Sequence, residues 1–125
     1  MSALELVALV IGGGLGAGGR YVVDGLVMRG RTGVFPLGIL VVNVTGSFAL
    51  GLLTGMAAVI GPLWMTILGV GVLGGFTTFS TVSVESVLLA QAGRRDWAWL
   101  NLLGTLVAAV IAAAVGFMLG GLLPR

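Results

Sequence analysis

The sequence predicts an all-α membrane protein of four transmembrane helices, and three observations carry that reading. The 125 residues are 58% hydrophobic and only 8% charged, with a mean hydropathy of +1.21, whereas a soluble domain carries roughly 25% charged residues. Four apolar runs are each long enough to cross a bilayer, which takes about 20 residues. The segments between them are too short to hold a soluble domain, so residues 1–125 form one four-helix transmembrane domain.

The first run, residues 4–28, passes the length of a signal-peptide core and has no basic leader, so it is read as a span. Within it, Gly14-Leu15-Gly16-Ala17-Gly18-Gly19 fits the spacing of a dinucleotide-binding loop. That loop must follow a strand and be trailed, at the distance the ribose requires, by an acidic residue, and here neither condition holds. The glycines are read instead as helix-packing surface. Arg20 and Asp24, four apart on one face, are either an ion pair at the membrane boundary or an electropositive mouth for anions.

The second run, residues 34–60, contains Asn43, whose amide cannot face lipid unpaired. It is either a bond between helices or a donor in a pore. Asn43, Ser47, Gly51 and Gly55 fall on one helical face, and Gly12/Gly16, Gly71/Gly75 and Gly116/Gly120 repeat the four-residue spacing of close helix contacts. The third run, residues 63–92, carries GGFTTFST at 74–81. Two glycines and two threonines weaken a helix over about one turn. A break in lipid survives only where protein, water or an ion takes the freed carbonyls, and breaks near the midplane are a recurring ion-site design. Carbonyl and hydroxyl oxygens suit a hard cation such as Na⁺, and the positive ring edges of Phe76 and Phe79 suit an anion. Glu85, two turns on, is an intramembrane carboxylate, either functional or paired at the boundary with Arg20, Arg94 or Arg95. The fourth run is residues 97–123.

Charge orients the chain. Loops 29–33 and 93–96 hold Arg29, Arg31, Arg94 and Arg95, whereas the terminal side holds Arg125. The positive-inside rule predicts cytoplasmic loops and external termini. The pI near 10.6 arises from these arginines and gives no basic face for nucleic acid. With no His, no Cys and no paired carboxylates on one face, acid–base and nucleophilic enzyme chemistry lack their usual groups. Proton-coupled drug export, in a four-helix antiporter, would call for a carboxylate deep in the first helix, and that helix has only Glu5 and Asp24 near its ends. Four short helices enclose little volume, so a pore calls for a second chain.

Three stretches in order carry a resemblance. They are Gly13-Gly14-Leu15-Gly16-Ala17-Gly18-Gly19-Arg20-Tyr21, then Pro36-Leu37-Gly38-Ile39-Leu40-Val41-Val42-Asn43-Val44-Thr45-Gly46-Ser47-Phe48-Ala49-Leu50-Gly51, then GGFTTFSTV at 74–82. Over nearly its whole length the chain resembles the CrcB/Fluc family of fluoride channels. The resemblance implies an antiparallel, dual-topology dimer in a bacterial inner membrane, with the third helix broken near the midplane and two fluoride pores. It implies a structural Na⁺ on the dimer axis, held by the backbone carbonyls of Gly74 and Thr77. It assigns the fluoride path to Asn43, Phe79, Ser80 and Thr81, and carries over the family's arginine and glutamate to Arg20 and Glu85. The sequence departs from the family at Ile39, where Thr is usual, and at Val82, where a second pore phenylalanine is usual. The fourth helix lacks the family's tyrosine and serine row, for which Asn101 and Thr105 are the candidates. An antiparallel homodimer calls for weak charge bias, and this chain is biased. The partner is therefore either a second copy or a paired homologue inserted the other way.

Overall fold

A computed structural model describes residues 1–32 and 35–124. Four helical spans cover Ala3–Val27, Leu37–Gly55, Pro62–Gln91 and Arg95–Gly121, and the described residues contain no strand. The chain is a multi-pass α-helical membrane protein. The expected start of the second run at Val34 and the terminal Arg125 lie outside the described residues.

Helix α1, Ala3–Val27, starts with a capping box: Ser2 Oγ accepts from the Glu5 N–H, and the Glu5 carboxylate accepts from the Ser2 N–H at 2.7 Å. Helix α2, Leu37–Gly55, begins directly after Pro36. The second run was expected to continue to residue 60, but α2 stops at Gly55, and a separate turn, α3 (Ala57–Ile60), follows Met56. Gly61, with φ 81° and ψ 160°, then reverses the chain in a conformation open to glycine alone.

The third span is a composite. A short α4 (Pro62–Trp64) leads into a π-helix, Met65–Leu73, and then α5, Gly74–Phe76. Thr77 is extended at φ −76°, ψ 155°, and α6 resumes at Ser80–Gln91. Helix α7, Arg95–Gly121, begins two residues earlier than the sequence suggested. Asp96 in its first turn suits the positive helix end, and Arg94 grips Asp96 through Nε and Nη2, both at 3.2 Å. Arg94 also lies 3.6 Å over the Trp97 ring, and Phe35 meets Trp97 edge-on at 5.9 Å.

Packing follows the glycines. Helix α2 lies against α7, α1 against the π-helix and α5, and α6 against α7. A Cβ on Gly51 would run into the Ala113 carbonyl, and one on Gly116 into the Phe48 carbonyl. Across the other seam, a Cβ on Gly16 would strike the Val72 carbonyl and one on Gly75 the Gly13 carbonyl. Backbones therefore touch directly, as apolar solvent favours when there is no hydrophobic drive between helices. Gly14 and Gly18, by contrast, face open space, and large apolar side chains stand exposed along α1 and α7, the surface a lipid solvent requires.

Candidate functional site

The site forms where the third span leaves helical geometry. There the Thr78 N–H and carbonyl find no partners in a helical ladder, so a neighbouring helix supplies them. Asn43 of α2 does this. Its Nδ2 donates to the Thr78 carbonyl at 2.8 Å, and its Oδ1 accepts the Thr78 N–H at 2.8 Å. The side-chain amide thus pairs with Thr78 as a peptide group would in a sheet. Asn43 is 6% exposed, so the pair is made away from water and lipid. Gly46, one turn along α2, makes room for this docking: a Cβ there would hit the Thr77 methyl and lie 3.0 Å from the Phe76 ring.

Thr77 keeps its own N–H and hydroxyl on the Leu73 carbonyl, both at 2.9 Å. Its carbonyl faces Arg20, whose Nη1 lies 3.5 Å away. Arg20 therefore turns toward the break and away from Asp24. Among the described residues the ion pair is Arg94–Asp96, so the boundary pair considered for Arg20 and Asp24 does not form. Arg20 is instead a second tie on residues 77–79, from α1.

Three hydroxyls gather at the start of α6. Thr78 Oγ1 accepts the Thr81 N–H at 3.2 Å, capping the helix. The same oxygen lies 3.2 Å from Ser80 Oγ and 3.2 Å from Thr81 Oγ1. Phe79 sits between, with its ring 77% exposed. Asn43, Ser47, Thr78, Phe79 and Thr105 share the wall of an open groove of about 490 Å³ between α2, α6 and α7.

Gly74 contributes no side chain but a carbonyl. In a continuous helix the Thr78 N–H would bond to it. Here that N–H goes to Asn43, and Gly74 is exposed. A carbonyl freed in this way is a hard-cation ligand by chemistry. The Thr77 carbonyl retains a lone pair beside its long contact with Arg20. The two oxygens fit Na⁺ in donor type, and other oxygens would complete a coordination shell.

Glu85 stands apart. It lines a separate groove with Met28, Pro36 and Leu88, and its Oε2 is buried without a hydrogen-bond partner. None of Arg20, Arg94 and Arg95 pairs with it. The structure thus brings Arg20, Asn43, Thr77, Ser80 and Thr81 together, with Phe79 beside them, and places Glu85 beyond the cluster.

One feature was not read from the sequence, and a second was named there without its partners. Thr78, the residue on which the cluster turns, is indistinguishable from Thr77 by type. Asn101 is fully buried at 0% exposure, and its Nδ2 donates to Ser86 Oγ at 3.1 Å and the Val82 carbonyl at 3.4 Å. Thr105 donates to Asn101 Oδ1 at 3.5 Å. This buried polar ladder fixes α7 to α6 directly behind Val82, itself 3% exposed. A large ring at position 82 would have no space on that side. The signal was an Asn in an otherwise apolar helix.

Four apolar spans, a non-helical stretch held by an inward-facing amide and a cluster of hydroxyls beside an exposed ring define a membrane protein built around a polar site. Comparison places it more closely. The chain belongs to the CrcB-like protein family, described as camphor resistance (CrcB), whose family model matches residues 7–117. It is 50% identical to the fluoride-specific ion channel FluC 1 of Leifsonia xyli subsp. xyli over 98% of this chain and 90% of that protein. It is 42% identical to the fluoride-specific ion channel FluC of Methylobacterium nodulans over 90% of this chain and 91% of the relative. With FluC 1 of Rubrobacter xylanophilus it shares 41% identity over 96% of each.

Proposed function

We propose that this chain is a fluoride-selective channel of a bacterial inner membrane that lets F⁻ leave the cytoplasm passively and so lowers cytoplasmic fluoride. The observation that carries the reading is the hydroxyl cluster of Thr78, Ser80 and Thr81 beside the exposed ring of Phe79, in a chain whose relatives are named fluoride-specific channels. Fluoride is small and strongly hydrated, so a path for it must replace water with donors. Hydroxyl protons and ring edges do so without a fixed charge that would trap the ion.

In this reading two chains assemble antiparallel, each contributing to two pores, and residues 77–79 lie near the bilayer midplane. The exposure of Phe79 and of the Gly74 carbonyl in the single chain supports a second subunit over this face. A Na⁺ on the dimer axis, bound by Gly74 and Thr77 carbonyls of both chains, supplies a fixed positive charge at the break. Ser80, Thr81 and Phe79 line the fluoride path, Arg20 supplies positive potential beside it, and Glu85 lies farther along. For Asn43 the two hydrogen bonds to Thr78 favour a holding role, with its remaining N–H available to the ion.

The test is efflux from liposomes loaded with equal fluoride and chloride, read by ion electrodes. Fluoride leaves and chloride stays. Chloride leaving as fast, or neither ion leaving with or without a paired homologue, overturns the reading. A silent single chain made active by a paired homologue selects the heterodimer over the homodimer.

A further inference from the structure

Most hydroxyl side chains in these spans hide their protons in the same way. Thr45, Thr54, Thr66, Thr77, Ser83 and Ser86 each give their proton to the carbonyl four residues back, at 2.7 to 3.0 Å. That is the ordinary way to hide a hydroxyl in a membrane helix, and it leaves no proton for anything else. Ser80 and Thr81 make no such bond. Both turn to the hydroxyl of Thr78, at 3.2 Å each.

The protons can be counted. Three hydroxyls carry three protons. The cluster has two O···O contacts, and each consumes one. At least one proton is therefore left over. The Thr78 oxygen also takes the Thr81 N–H, so its second lone pair is filled by Ser80 when its own proton goes to Thr81. With that polarity the unspent proton is the one on Thr81. The backbone of Thr78 is pinned on both sides by Asn43 at 2.8 Å, so the hub cannot drift away from the two hydroxyls it organises.

We propose that Thr78 is a positioning residue for the fluoride path: its hydroxyl keeps Ser80 and Thr81 from bonding to their own helix and so holds a hydroxyl proton free for the anion. The inference rests on the channel reading above, and it assigns the orientation of the donors to a residue that does not itself supply the free one. Without the Thr78 hydroxyl, Ser80 and Thr81 rotate onto the carbonyls of Phe76 and Thr77, and the path loses a prepared donor.

Efflux from liposomes at low protein density tests this, because it reads two quantities separately. The fraction of trapped fluoride released counts vesicles that hold an active channel, and the rate reports throughput per channel. The expectation for Thr78→Val is a released fraction equal to wild type and a rate about tenfold lower, the loss of roughly one hydrogen bond to a charged group. Thr78→Ser, which keeps the hydroxyl and the cap, restores the rate. A Val variant with the wild-type rate overturns the inference. So does a Val variant that lowers only the released fraction, since that is a folding effect, and so does a Ser variant as slow as Val. Absence of fluoride efflux from the wild-type chain, both alone and together with its paired homologue, refutes the channel reading and this inference with it.

Discussion

Replacing Asn43 with Leu removes one side chain of similar size and both of its bonds to Thr78. The wild-type amide donates and accepts at 2.8 Å from a position 6% exposed, so the variant leaves a peptide N–H and C=O without partners. In a water-soluble protein each orphaned group would cost about 1–3 kcal/mol. In a bilayer the unfolded reference also finds partners, and interhelical side-chain bonds average roughly 0.6 kcal/mol with a maximum near 1.7. The membrane figure applies here, and two bonds give about 1–3 kcal/mol. Because about 1.4 kcal/mol is tenfold, the population with residues 77–79 detached rises by roughly ten- to a hundredfold. SDS titration in mixed micelles, followed by the fluorescence of Trp64, Trp97 and Trp99, measures the stability, and liposome efflux measures the flux. Both fall. A variant that loses flux at unchanged stability would refute the clamp, because the amide would then be acting on the ion and not on the backbone. Unchanged stability and flux together would remove Asn43 from the site altogether.

Other expectations follow from the same contacts. Phe79→Ile lowers fluoride flux without lowering single-chain stability, since the ring is 77% exposed; a large loss of helicity in circular dichroism would contradict this. Gly51→Leu or Gly116→Leu abolishes the α2–α7 contact, because each new side chain meets a carbonyl, and the variants fail to yield folded protein in detergent. Gly104→Ala, whose Cβ would touch only the Leu100 methyl at 3.6 Å, folds normally in the same extraction. Asn101→Leu removes the two bonds it gives to Ser86 Oγ and the Val82 carbonyl and leaves the Thr105 hydroxyl without its partner, at a cost of about 1–2 kcal/mol on the membrane scale, read by the same SDS titration; wild-type stability would show the ladder to be dispensable.

Much of this architecture was legible in the residues. Apolar runs of membrane length located all four spans, and the family resemblance rested on residues that the family model also covers. The glycine pairs pointed to the right contact faces because only glycine tolerates backbone against backbone. The loops were legible to within a few residues. Arg95 and Asp96 were placed outside the fourth helix, since charges there look like loop although they also suit a first turn. The π-helix at Met65–Leu73 was invisible, because nothing in MTILGVGVL distinguishes a wide turn from an ordinary one. Within the site, the residue types were readable but not their partners. Asn43 had to satisfy something, yet only the fold shows that it is the Thr78 backbone. Arg20 and Asp24 matched by spacing, and spacing along one helix could not reveal a carbonyl from another span.

The composite third span has a mechanical consequence. Its first half is bound mainly to α1 and its second half to α7, so residues 77–79 join two groups of helices. Asn43 fastens that joint to one group and Arg20 to the other. A shift of α1 along the bundle would therefore pull on the Thr77 carbonyl through Arg20. The glycine seam of Gly12, Gly16 and Gly75, which sets where α1 sits, thus bears on the position of residues 77–79.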